Sequence, residues 1–165
     1  MSITSIAHKL YFERRQRELQ KHINHGAELQ QDVLKSLLHR ADDTEYGRNH
    51  AFSTIKNYDT FCQDVPINDY ESLKQDIDRM RHGEKDILWP GQVKWYAKSS
   101  GTTNDKSKYI PVTNEGLQNV HYAGGRDTVA FYLMNNPKSK ILDGKALILG
   151  GAHQTNYNLR NSLVG

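Results

Sequence analysis

The chain has one cysteine, Cys62, in 165 residues. No internal disulfide can form, and metal sites built on cysteine pairs are excluded. A reducing, cytoplasmic setting is the simplest expectation. No apolar run approaches the ~18 residues that a bilayer span requires, and the opening "MSITSIAHKLYFERRQ" has no apolar core of secretory type. Charge of one sign is also lacking. The formal balance is +3, with acidic and basic residues interspersed, so neither nucleic acid nor membrane is demanded as a partner. The eight histidines are scattered and none has HExxH spacing, so no protein metal site is expected. The 36% apolar fraction and mean hydropathy of −0.78 are lean. They fit long solvated helices, or a part of something larger, although the length suits one domain.

What the sequence does have is helical periodicity, then short extended runs. Ile3, Ile6 and Leu10, followed by Leu19 and Ile23, recur at helical spacing. Beyond Gly26, Leu29, Val33, Leu34, Leu37 and Leu38 form a second stripe, so His25-Gly26 predicts a break between two helices. "DDTEYGRNHAF" (residues 42–52) reads as a polar turn region with Gly47 free for a positive φ. Between Pro66 and Pro90, Asn68 and Glu71 have capping-box spacing. Tyr70, Leu73, Ile77 and Met80 mark one buried face, and Gly83 suits the helix stop. Val93–Ser99 predicts a strand with Val93, Trp95 and Ala97 on its inner side. Residues 109–112 predict a second extended stretch, reached through a loop or a hairpin with a long tip. Thr113 suits the N-cap of a helix reaching about Met134, with Gly124-Gly125 in it as a kink or a point of close approach. "ALILGG" (residues 146–151) reads as a buried strand. A strand so near the end of the sequence implies the front part of a longer protein.

Between the two extended stretches lies "SSGTTNDKSK" (residues 99–108). Phosphate oxygens need donors that converge without bulk, which glycine amides and small hydroxyls supply. Ser99, Ser100, Gly101, Thr102 and Thr103 provide that set, and Lys106 and Lys108 add positive charge. On residue types alone the segment fits either a surface turn or a loop that holds a polyphosphate.

Context narrows the choice. "VPINDYESLKQDIDRM", "GEKDILWPGQVKWYAKSSGTTNDKSKYIPVT" and "GKALILGG" resemble the N-terminal part of the auxin-responsive Gretchen Hagen family of acyl acid amido synthetases, in the adenylate-forming superfamily. The resemblance runs from about Thr44 onward. It implies an α/β fold: a helical N-terminal segment (1–45), then the start of a nucleotide-binding region (46–165) in which a β-sheet is flanked by helices. It also implies that residues 1–165 are the N-terminal portion of a larger adenylate-forming domain whose C-terminal parts are absent. By itself such a portion is expected to be inert and to bind ATP weakly or not at all.

The implied activity is that of a ligase. A carboxylic acid is activated by Mg-ATP as an acyl-adenylate, pyrophosphate leaves, and the acyl group passes to an amino acid. ATP and Mg²⁺ are therefore the implied cofactors, with small carboxylic and amino acids as substrates. By motif match, Ser99, Ser100 and Thr103 contact phosphate, Gly101 makes the turn, Thr102 supports it and Lys108 neutralises charge. Arg126, on the helix after the loop, is the candidate for the substrate carboxylate, and His153 and Gln154 lie just past the last expected strand. The loop lacks the second glycine and the Pro-Lys-Gly ending of the wider superfamily, having Asn104-Asp105-Lys106 instead. That difference favours the amido synthetase branch and leaves Lys106 without an assigned role. In-line attack on phosphorus needs positioning and charge stabilisation rather than a general base, so no catalytic acid–base residue is assigned. Two alternatives stand beside this reading: an acyl-adenylate-forming enzyme with a thiol or other acceptor, and a non-enzymatic helical interaction module.

Overall fold

The computed structural model describes residues 3–99, 107–143, 145, 147, 154–155 and 163–164. They form two units, one from residues 1–29 with 114–150 and one from residues 30–113 with 151–165.

In the first unit, α1 (Ile3–Asn24) ends just before His25, and α2 (Gly26–Ala41) begins at the expected glycine. After Thr113 comes a continuous helical run. It consists of α6 (Asn114–Gly116), a π-helical stretch (Leu117–Tyr122) and α7 (Ala123–Asn135). Packing of α1 on α7 is narrow and specific. Leu19 is buried, and Ala130 is fully buried; its small side chain lets Gln16 Nε2 reach the Ala130 carbonyl at 3.4 Å. Beside this contact the Arg15 guanidinium donates to both oxygens of Asp127, at 2.6 and 2.9 Å. That fork holds the Asp127 carboxyl below the usual carboxylate range and raises Arg15 further.

The α1 stripe is not the one the spacing predicts. Ile6, Leu10 and Ile23 are 48–62% exposed. At about 100° per residue, Ile3, Ile6 and Leu10 fall on one side of the helix and Leu19 and Ile23 on another. The side that meets α7 carries Arg15, Gln16 and Leu19.

The second unit takes the C-terminal half of α2, where Leu38 and Ala41 are buried. Thr44 stops the chain's descent and starts α3 (Glu45–Asn49). Its hydroxyl donates to the Ala41 carbonyl at 2.7 Å and accepts from the Gly47 amide at 2.9 Å. Gly47 is therefore helical and buried, not a positive-φ turn residue. It is glycine because of proximity: a Cβ there would lie 2.0 Å from the Ala41 carbonyl oxygen. A 3₁₀ turn (Phe52–Thr54) and α4 (Tyr58–Asp64), capped by Asn57, follow.

Helix α5 (Tyr70–Arg81) is capped by Asp69, whose carboxylate accepts from the Ser72 amide at 2.8 Å. The expected cap, Asn68, is drawn aside. Its amide donates to the Tyr46 hydroxyl at 2.6 Å and to the Pro66 carbonyl at 3.0 Å. The helix ends as expected at Gly83, which takes φ 97°. Its N-terminal neighbour α3 is tied on by the Arg79 fork to Glu45, 2.8 Å on each oxygen, while Arg79 also reaches Glu84 and Asp76.

The sheet is mixed, in the order β2-β1-β4-β3. Strand β1 (Trp95–Lys98) pairs antiparallel with β2 (Tyr109–Val112) and parallel with β4 (Leu163–Val164), which pairs antiparallel with β3 (Gln154–Thr155). The inner side of β1 is the reverse of the expected one. Tyr96 is 2% exposed, whereas Trp95 is 40% exposed. Val93 enters the core from the stretch ahead of the strand, so the alternation does not run through from 93 to 97. The Tyr96 ring then joins Ile77, Met80, Ile87 and Val93 in one cluster, with Tyr70, Leu73, Leu88 and Tyr109 packed on it. Most of the strand expected at 146–151 lies outside the described residues; Leu147 is described, belongs to no strand and is exposed.

Gly47→Ala forces a methyl group into the Ala41 carbonyl. It is expected to cost about 2 kcal/mol or more, read as a lowered urea midpoint, while Gly26→Ala, where a Cβ meets nothing within 4 Å, leaves the midpoint at or above that of the parent.

Candidate functional site

The loop singled out in the sequence connects the two antiparallel strands β1 and β2. Lys98 pairs with Tyr109, and the ladder continues one step further. The Ser99 amide donates to the Lys108 carbonyl at 2.9 Å, and the Lys108 amide donates to the Ser99 hydroxyl oxygen at 3.3 Å. The two ends of the loop are thus locked side by side. Because Ser99 Oγ serves as an acceptor here, its own O–H remains a donor for a ligand.

Helix α5 fixes this hairpin base at both of its ends. From its first residue, the Tyr70 hydroxyl accepts the Tyr109 amide at 3.0 Å. From its last, the Arg81 guanidinium lies 3.6 Å from the centre of the Tyr109 ring and forms an ion pair with Asp78 at 2.9 Å. Between them Tyr96 closes the core, its hydroxyl donating to the Val93 carbonyl at 3.4 Å. Burial pushes the Tyr96 phenol up to about 12, with the Arg81 charge acting in the opposite direction.

The structure brings Ser99 and Lys108 together. Lys108 is exposed, and its ammonium stands over the Tyr70 ring, 5.2 Å from the centroid. Ser100, Gly101, Thr102, Thr103 and Lys106 lie outside the described residues, as does His153. Gln154, expected in a loop, is in β3. Arg126 belongs to the other unit, exposed on α7 beside Asp127, whose carboxylate its charge helps to hold ionised. The spacing did not point to Tyr70 as a partner of Lys108, nor to Arg81 and Tyr109 as a stacked pair. Their only signal in the sequence was two aromatic rings and an arginine at the margins of predicted elements. Among the described residues no group of three or more His, Cys, Asp or Glu side chains is placed to hold a metal ion, and no helix is long and apolar enough to cross a membrane.

The sequence pattern of the GH3 family N-terminal domain matches residues 15–160. The chain belongs to the GH3 family. Among GH3 proteins, indole-3-acetic acid-amido synthetase GH3.5 of Arabidopsis thaliana is 32% identical over 91 residues, which are 54% of this chain and 15% of the relative. Indole-3-acetic acid-amido synthetase GH3.15 of the same plant is 33% identical over 92 residues, 55% of this chain and 15% of that protein. A solved GH3.15 acyl acid amido synthetase has the same fold, with a TM-score of 0.75 at 25% identity over 90% of this chain and 26% of that one. A second solved structure, GH3.15 in complex with 2,4-DB, matches with a TM-score of 0.69 at 26% identity, covering 83% of this chain and 24% of that one. The matched segments span about 15% of the length of these curated relatives.

The Tyr96 phenol gives the hairpin base an alkaline limit. An unfolded tyrosine ionises near pH 10, so the folded state's hold on this proton counts in full below about pH 10 and is lost as pH rises through about 12. Urea midpoints should therefore fall between about pH 10 and 12, and Tyr96→Phe should flatten that fall while costing little at neutral pH, since the bond it removes is long.

Proposed function

We propose that this GH3 chain is the N-terminal portion of an ATP-dependent acyl acid amido synthetase, which activates a carboxylic acid as its acyl-adenylate and conjugates it to an amino acid. The observation that carries the reading is the family match over residues 15–160, which encloses the whole hairpin and its loop. Supporting it is the hairpin base, where the backbone of an exposed lysine is bonded to the amide and hydroxyl of the loop's first serine.

The donor set suits a polyphosphate. From Ser99 to Asn104 the loop offers hydroxyls, an amide side chain and a glycine, and no carboxylate. Ser99, Ser100 and Thr103 would hold phosphate oxygens, Gly101 would let the backbone close on them with Thr102 in support, and Lys108 would offset their charge. ATP and Mg²⁺ enter as substrate complex, supplying the phosphorus that the acid's carboxylate attacks. The chain's own part in the step is to bind, orient and neutralise, which is where phosphoryl and adenylyl transfer gains most of its rate. Arg126 is the residue proposed to meet the carboxylate of the acid, and a cytoplasmic location is consistent with small soluble substrates.

The test is acid-dependent exchange of labelled pyrophosphate into ATP, measured on the whole protein that carries this chain with a panel of carboxylic acids. Exchange is expected with at least one acid, and Ser100→Ala with Thr103→Ala should lower it by about a hundredfold. An unchanged rate in that double variant refutes the loop's role, and no exchange with any acid refutes the adenylation reading.

A further inference from the structure

One side chain touches two consecutive residues at the exit of the loop. The Tyr70 hydroxyl accepts a hydrogen bond from the Tyr109 amide, and the Tyr70 ring faces the ammonium of Lys108. We propose that Tyr70 is a positioning residue for the anion-binding loop, fixing the register of the exit strand through its hydroxyl and the direction of the Lys108 charge through its ring. This rests on the nucleotide-binding reading of residues 99–108.

The physical case has three parts. Tyr70 is itself well anchored, because it opens α5 directly after the Asp69 cap and packs against the Ile77–Met80–Tyr96 cluster. Lys108 is the opposite: an exposed side chain with four rotatable bonds whose ammonium, left alone, would sample a wide shell of solvent. A ring within ~6 Å confines such a cation by its quadrupole without neutralising it. A carboxylate partner would also confine it, but would cancel the charge that an anionic ligand needs. The hydroxyl contact adds a second constraint. Lys108 and Tyr109 are neighbours in the chain, so pinning the Tyr109 amide also sets the backbone from which Lys108 departs. Ser99, across the ladder, is bonded to the same Lys108 peptide. Tyr70 therefore bears on both ends of the loop through one strand residue.

The two functions of the side chain are separable by substitution. Tyr70→Phe keeps the ring and removes the hydroxyl, Tyr70→Leu removes both, and Lys108→Met removes the charge. The experiment measures Mg-ATP affinity by calorimetry, and amide hydrogen exchange of the peptide spanning 107–113 by mass spectrometry, on the whole protein that carries this chain. Melting temperatures verify that each variant is folded. Tyr70→Leu and Lys108→Met are each expected to weaken Mg-ATP by about fivefold, and the double variant to be no weaker than Lys108→Met alone. Tyr70→Phe should recover most of the affinity, yet share with Tyr70→Leu a faster exchange of the Tyr109 amide. If the two effects multiply in the double variant, or if Tyr70→Leu binds Mg-ATP as the parent does, Tyr70 does not act through Lys108 and the inference is overturned. An unaltered affinity in Lys108→Met overturns it as well. Absence of Mg-ATP binding to the parent protein is a different result, and it removes the nucleotide reading itself.

Discussion

The attachment of a single β-hairpin to a single helix is the constraint on which the rest of the second unit depends. A two-stranded hairpin is marginal in water by itself. Here the β1–β2 pair gains stability from β4 on the far side of β1 and from α5, through Tyr96 in the core, the Tyr70 hydroxyl on the Tyr109 amide and the Arg81 guanidinium on the Tyr109 ring. The helix in turn is held by α3, because the Arg79 fork closes on Glu45 and the first amides of α3 donate to the Asp86 and Ile87 carbonyls. And α3 exists where it does because Thr44 caps it and Gly47 lets it press against Ala41. Exposed ion pairs contribute little singly. Arg79 differs in meeting three carboxylates at once, one of them with both nitrogens of its fork.

Each place where the sequence misled has the same physical origin. A helix break at His25-Gly26 and a helix over 70–81 closed by Gly83 were legible, since periodicity and glycine act locally. The identity of the α5 cap was not, because Asn68 and Asp69 are both good caps at adjacent positions; in the fold Asp69 takes the Ser72 amide, while the Asn68 amide donates to the hydroxyl of Tyr46, 22 residues upstream in sequence. The inner side of β1 was not, because alternation alone does not tell Tyr96 from Trp95 when both are large. Nor was the reason for Gly47. A sequence shows that a glycine is present, but a carbonyl 2.0 Å from its missing Cβ is visible only in three dimensions.

The candidate site divides along the same line. The loop's composition and its position after a strand were readable, and so was the family, through the long stretches on either side of the loop. What holds the loop was not readable. Tyr70 had been assigned to a buried helix face and is indeed part of it, yet its hydroxyl and ring meet Tyr109 and Lys108 some 39 residues away in sequence. A tyrosine has an apolar body and a polar tip, so an apolar stripe that contains one carries a hydrogen bond whose destination the stripe does not reveal.

In the first unit, stability and structure are distributed unevenly along one helical run. Gly124 and Gly125 each cost a helix about 1 kcal/mol relative to alanine, and a Cβ at either would meet nothing within 4 Å, so close packing within the described chain does not explain them. They lie one residue beyond a π-helical stretch in which Val120 is 71% and Tyr122 51% exposed. Beyond them the run is secured within two turns, by the Arg15–Asp127 fork and by Ala130 against α1. Hydrogen bonds between charged groups contribute about 1.5–3 kcal/mol each, enough to offset both glycines. The downstream half of the run is therefore held by contacts with α1, whereas the π-helical stretch before the glycines is wider and leaves Val120 and Tyr122 with little cover. Local opening follows such differences in cover, so residues 117–125 are the part of this helix least expensive to reshape.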